Sequence, residues 1–139
     1  GLTPHHCLLS CEFVPESQDG LIYKVNPPPR DEVSRRKMLD LLKQGKIDWI
    51  ETDHAPHTLN EKLEEPFMSG FPGLPFYPHF INRLRREGFS EERIRELTHT
   101  NIEKIFGITV PLLTRDSDLK PDLNLHREYE VDVYRGIRK

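Results

Sequence analysis

The seven residues Thr52-Asp53-His54-Ala55-Pro56-His57-Thr58 concentrate the side chains of this sequence best suited to chemistry, one carboxylate and two imidazoles. A carboxylate has two oxygens, so one can hold a metal ion while the other takes a proton from water. That is the combination a hydrolase needs to make a nucleophile near neutral pH. Imidazole adds a group that changes charge in the physiological range. Asp and His also form turns by hydrogen-bonding their own backbone, and the bare spacing fits both readings. Cys7 and Cys11 read as free thiols, because no second cysteine pair or His-x-His accompanies them to complete a zinc site.

Something must position Asp53. The run Ile47-Asp48-Trp49-Ile50-Glu51-Thr52 is rich in β-branched and aromatic residues and predicts a strand ending at Asp53. In α/β barrels and open sheets, catalytic groups gather at that end of a strand. Upstream, Asp31 to Gln44 carries Val33, Met38, Leu41 and Leu42 on one side and Arg35, Arg36 and Lys43 on the other, predicting a surface helix stopped by Gly45. Helix followed by strand is the α/β pattern. Pro27-Pro28-Pro29 close one loop, and Pro66, Pro72, Pro75 and Pro78 punctuate a second around Gly70 and Gly73. Phe76, Phe80 and Leu84, four apart, predict a helix to about Glu87 that ends at Gly88. Ser90 then caps a short helix with Glu91 and Glu92 in its first turn and Ile94 and Leu97 as its apolar residues. Thr100-Asn101-Ile102-Glu103 has capping-box spacing and predicts a third helix, with Ile105 and Phe106 buried and Gly107 as its end. Thr114 to Asn124 reads as polar loop, and Tyr129, Val131 and Val133 alternate with Glu130 and Asp132 as a half-buried strand would.

Charge narrows the partners. The 139 residues hold 20 Lys and Arg against 23 Asp and Glu without a block of like charges, which excludes a basic nucleic-acid or membrane patch. No apolar run approaches the roughly 18 residues that span a bilayer, and Gly1 to Ser10 lacks the regions of a signal peptide. A cytoplasmic protein acting on a small molecule or bound to another chain is expected.

The blocks around Asp53 carry a resemblance. Thr52-Asp53-His54-Ala55-Pro56-His57-Thr58, followed by Glu61-Lys62 and Gly70-Phe71-Pro72-Gly73-Leu74, looks like the signature region of the dihydroorotases. Thr3-Pro4-His5-His6 resembles the family's Pro-His-His stretch. Lys24-Val25-Asn26-Pro27-Pro28 with Arg30 resembles its Lys-Val-Asn-Pro-Pro-Leu-Arg segment, and Thr100-Asn101 with Ile105-Phe106-Gly107 its Thr-Asn-Pro-x-x-Ile-Phe-Gly helix. The resemblance implies that Asp53 is a zinc ligand and the general acid/base, and that Asn26, His57 and the backbone of Ser69 and Gly70 bind substrate. His54 is read as orienting Asp53 in preference to touching ligand or metal directly, and His5 and His6 in the same way as supporting hydrogen-bonders in preference to ligands. The implied reaction is the reversible closure of N-carbamoyl-L-aspartate to L-dihydroorotate. The chain departs from the pattern at Pro75-Phe76, where many members have Glu-Thr, and at Ile102, where a proline is common.

The implied fold is α/β, the C-terminal part of a TIM-like (β/α)8 barrel of the metal-dependent amidohydrolase type, incomplete in this chain. A full barrel takes about 250 residues, so 139 leave room for about two of eight strands. Residues 1–110 are expected to hold the last strands, loops and helices, and 111–139 a tail with one strand. The family's His-x-His pair, bridging carboxylate or carboxylated lysine, and two further histidines are missing, so a zinc site of one or two ions is expected only in the complete enzyme. This chain alone is expected to bind zinc weakly and to be inactive, and its open edges to be covered by the rest of the barrel, another chain or an oligomer. The alternatives are a hydantoinase or allantoinase, a non-catalytic amidohydrolase-derived subunit, and a small metal protein using His54, His57 and the His5-His6 pair.

Overall fold

The computed structural model describes residues 1–111, 125–135 and 137. Among the described residues six α-helices fall in this order: α1 (Pro4–Leu8), α2 (Glu32–Lys43), α3 (Leu59–Leu63), α4 (Tyr77–Arg86), α5 (Glu91–Arg95) and α6 (Asn101–Phe106). Three-residue-per-turn helices occupy Cys11–Phe13, Gln18–Tyr23, Leu74–Phe76 and Leu125–Glu128.

The helices start and stop for local reasons. Asp31 caps α2 by accepting the Ser34 N–H at 2.7 Å, and Gly45 follows at φ 74°. Thr58 and Glu61 form a complete capping box at the start of α3. Ser90 accepts the Arg93 N–H to start α5. In α2 the expected apolar side is shifted: Val33 is exposed, and Arg35 takes an inward position where its Nη1 donates to the Cys7 carbonyl at 2.8 Å. The cause is helical geometry, since five residues rotate Val33 about 140° from Met38, whereas Arg35 lies one turn away on the same face.

The expected break at Thr100 is absent. Glu96–Thr100 forms a π-helical turn joining α5 directly to α6, and Thr100 makes no cap bond. Glu103 instead accepts the Val110 N–H at 2.8 Å and lies 3.4 Å from His99. Beside this turn, the Leu97 carbonyl accepts the Ile50 N–H at 2.9 Å. Gly107, at φ 64°, ends α6 as expected, but Ile105 and Phe106 are largely exposed.

Strand pairing is minimal among the described residues: one parallel bridge joins Leu2 to Ile50, another His54 to Phe71. The Leu2 N–H donates to the Trp49 carbonyl at 3.0 Å, and the Glu51 N–H to the Leu2 carbonyl at 3.1 Å. The expected strand over Ile47–Thr52 is thus an extended segment with a single bridge. The expected strand over Tyr129–Val133 is not formed. No second segment pairs with it, and Val131, Val133 and Tyr134 are buried at a turn. The expected loop Thr114 to Asn124 lies outside the described residues.

Two apolar clusters hold these pieces. One gathers Leu2 and Ile50 with Leu42, Phe80, Leu84, Ile94 and Leu97, so α2, α4 and the π turn cover the bridge. The other packs Leu9, Val25, Phe71 and Phe76 against Val131, Val133 and Tyr134, so the chain's last described residues lie under the loop that precedes α4. Asp53 follows Ile50 of the first cluster and is bonded through the His54–Phe71 bridge to the second.

Candidate active site

Asp53 follows the extended segment with φ 45°, a left-handed backbone that a non-glycine residue adopts at a cost of order 1–3 kcal/mol. Its side chain is about half exposed (48%), and Oδ2 lies 3.8 Å from Nε2 of His5, which is wholly buried. Neither ring nitrogen of His5 has a hydrogen-bond partner. Burial, helped by the adjacent His6, pushes the His5 pKa down to about 3, so the imidazole facing Asp53 is neutral. The ring is wedged between His6, 4.4 Å away, and the edge of Phe71 at 5.1 Å. His6 bridges two segments: Nε2 meets the Pro27 carbonyl at 2.9 Å and must donate to it, so Nδ1 accepts from the Thr3 hydroxyl at 2.6 Å.

Asp53 opens on a cleft of about 720 Å³ that is also lined by Asn26, Arg30, Lys37, His6 and Glu51. Sequence reasoning placed Asp53 and Asn26 in one site, and the fold brings both to this cleft. Cations on its wall suit an anionic ligand. His57 does not line it. That half-buried ring holds the Ser69 carbonyl through Nε2 at 3.2 Å and faces a shallower groove with Glu61, Tyr129 and Glu130. His54 orients something other than Asp53: Nδ1 accepts the Leu74 N–H at 3.2 Å, and the ring meets Tyr129 edge-on.

Ser69 and Gly70 are fixed from several sides. Gly70 has φ 140°, and a Cβ there would lie 2.6 Å from the Ala55 side chain and 2.7 Å from its carbonyl, so only glycine fits. Its N–H donates to the Lys24 carbonyl at 3.0 Å, tying the loop to the segment that carries Asn26. Gly73 is as constrained, since a Cβ would fall 2.0 Å from the Thr52 carbonyl. Lys62, part of the signature block but given no role by it, is fully buried between the Lys24 and Gly70 carbonyls. Sequence reasoning left His5 as a general supporter. The signal available for His5 was its place beside His6, after the proline that opens α1.

The metal expectation can be tested on donors. No three His, Cys, Asp or Glu side chains converge among the described residues. Asp53 with the unpartnered His5 nitrogens offers donors of the right chemistry, but fewer than the three or four protein ligands of a zinc cage.

The chain is similar to curated dihydroorotases along most of its length. It is 41% identical to that of Bacillus licheniformis over 94% of this chain and 31% of the relative. It is 37% identical to one from Staphylococcus epidermidis over 96% and 32%, and 36% identical to one from Halobacterium salinarum over 76% and 25%. This chain belongs to the dihydroorotase family. It spans about a quarter to a third of the length of these relatives. In backbone it resembles a D-hydantoinase (dihydropyrimidinase) from Thermus sp., with a TM-score of 0.64 at 24% identity over 82% of this chain and 28% of that one, a likeness of fold. No family model matches.

Proposed function

We propose that this dihydroorotase-family chain forms the proton-transfer wall of a dihydroorotase active site, acting on the cyclic amide of L-dihydroorotate and, in reverse, on N-carbamoyl-L-aspartate. The observation that carries this is Asp53, held in a strained left-handed backbone at the mouth of a cation-lined cleft beside a buried neutral imidazole. In the hydrolytic direction, water adds to the ring carbonyl carbon, the C–N bond breaks, and the nitrogen leaves with a proton. Asp53 takes the proton from the water and delivers it to that nitrogen. His5 faces the carboxylate as a neutral imidazole and adds no charge of its own to the site. Asn26 grips the substrate from the same cleft, with Arg30 and Lys37 attracting its carboxylates. His57 holds the Ser69 carbonyl from the neighbouring groove and so supports the Ser69–Gly70 loop, and its contact with a substrate carboxylate requires the ring to leave that groove.

Asp53 would be one ligand of the zinc that the family implies, the remaining ligands coming from beyond the described residues, and the ion when bound would supply Lewis acidity toward the amide. The surrounding fold is the closing portion of a (β/α)8 barrel, with the bridged Leu2 and Ile50 segments at neighbouring strand positions and residues 1–110 as its body, against which Val131, Val133 and Tyr134 of the 111–139 tail pack. A cytoplasmic location suits the unbonded Cys7 and Cys11. The test is turnover of L-dihydroorotate by the protein that carries this chain. Asp53→Asn is expected to cost about 10²–10⁴-fold in kcat while the fold survives, because Asn tolerates the same backbone. Unchanged turnover would remove Asp53 from the reaction and favour a non-catalytic subunit.

A further inference from the structure

Lys62 is the most unusual side chain in the described structure outside the cleft. It lies in the short helix α3, is 0% exposed, and donates from Nζ to the Lys24 carbonyl at 2.6 Å and to the Gly70 carbonyl at 3.0 Å. The ammonium also sits over the Phe71 ring at 5.2 Å. The charge acting on it is another cation, Lys24, and burial with that repulsion lowers its pKa to about 8. Burying a cation without a carboxylate is costly, so the geometry must return something. What it returns is a junction. The Lys24 carbonyl accepts both the Lys62 ammonium and the Gly70 N–H, so one atom ties α3, the segment leading to Asn26, and the loop of Ser69 and Gly70. Lys24 adds a second tie by donating to the Pro66 and Phe67 carbonyls of that loop.

We infer that Lys62 is a positioning residue that clamps the Ser69–Gly70 loop to the Asn26 segment and so fixes the substrate-binding geometry from behind. It touches neither the cleft nor Asp53. The kinetic side of this inference rests on the dihydroorotase reading above, whereas the clamp itself does not.

Two readouts separate them. In Lys62→Met, which keeps the length of the side chain and removes the charge, amide hydrogen exchange at Gly70 is expected to speed up by about tenfold, the worth of one hydrogen bond, while the Leu84 amide in α4 is unchanged. In the active protein the same variant is expected to raise KM for L-dihydroorotate about tenfold with kcat preserved, the signature of lost binding rather than lost chemistry. Lys62→Gln, which retains an N–H donor, is expected to lie between the two and serves if Lys62→Met does not fold. Unchanged exchange at Gly70 overturns the clamp. So does equal acceleration at Gly70 and Leu84, which would make Lys62 a general stability residue. A loss of kcat at unchanged KM would overturn the positioning role. If the native protein does not turn over L-dihydroorotate, the functional reading fails and the exchange comparison still decides the clamp.

Discussion

At the scale of single residues, the most informative pair is Asp53 and Lys62, because each carries a cost that folding alone does not explain. Asp53 holds a positive φ. Lys62 holds a buried charge, and this has a pH consequence whose sign can be worked out. The unfolded chain keeps the proton up to about the ordinary 10.5, whereas the folded chain releases it near 8. Between those values the unfolded state binds more protons, so stability rises with pH across that window, and the group weighs against folding below it. The urea midpoint of the native chain, measured relative to Lys62→Met, is expected to climb between about pH 7.5 and about pH 10. A flat difference would mean that the ammonium is not penalised by burial. The two residues also differ in how visible they were beforehand. Asp53 stands out through the family blocks around it, since the bare spacing fits a simple turn equally well. Lys62 resembles any polar residue of a short surface helix, and only long-range packing of the Lys24 and Gly70 backbones shows what it does.

At the scale of elements, the helices were the legible part. The spacings in α4 and α5 and the capping residues Ser90 and Gly107 act within a few positions of themselves and work as read, whereas α2 forms over the expected span with its inward side shifted from Val33 to Arg35. The extended segments were less legible because a strand is defined by a partner elsewhere in the chain. Ile50 finds one in Leu2, while Tyr129–Val133 has the right alternation and no pairing segment among the described residues. The junction at Thr100 misled for a related reason: a capping box and a continuing helix share the same residues, and contact with Ile50 through the Leu97 carbonyl favours continuation. Phe80 joins α4 to the segment that leads to Asp53 and is 1% exposed. Phe80→Ala is expected to cost about 3–5 kcal/mol in a denaturant titration, and Phe80→Leu considerably less. Loss of under 1 kcal/mol in the alanine variant would show that α4 does not brace this segment.

At the scale of the whole molecule, part of the proposed reaction centre and part of a surface lie together. Asp53 and His5 supply metal donors without a cage, so a competitive-chelator titration of this chain is expected to show no tight stoichiometric zinc site. A stoichiometric, high-affinity site would overturn the view that other segments complete it. The site was legible to the same extent. Asp53 and Asn26 do share a cleft, as their family blocks implied, while His57 faces away from it, because a ring's direction depends on the Ser69 carbonyl it meets and not on its distance along the chain. On the outside, Ile105, Phe106, Ile108 and Val110 are each more than a third exposed around the end of α6. Association that grows with concentration is therefore expected in sedimentation, weakening when Phe106 is replaced by serine.

The left-handed backbone of Asp53 has a consequence for comprehensive mutagenesis. A library of all substitutions at this position, sorted only for soluble expression, is expected to enrich glycine and asparagine, the residues that meet that dihedral most cheaply. Sorted instead for growth that depends on the enzyme, the same library should retain aspartate alone. Two selections that disagree at one position mark a residue kept for its reaction against the preference of its own backbone, and that disagreement can be read without an assay for any particular substrate.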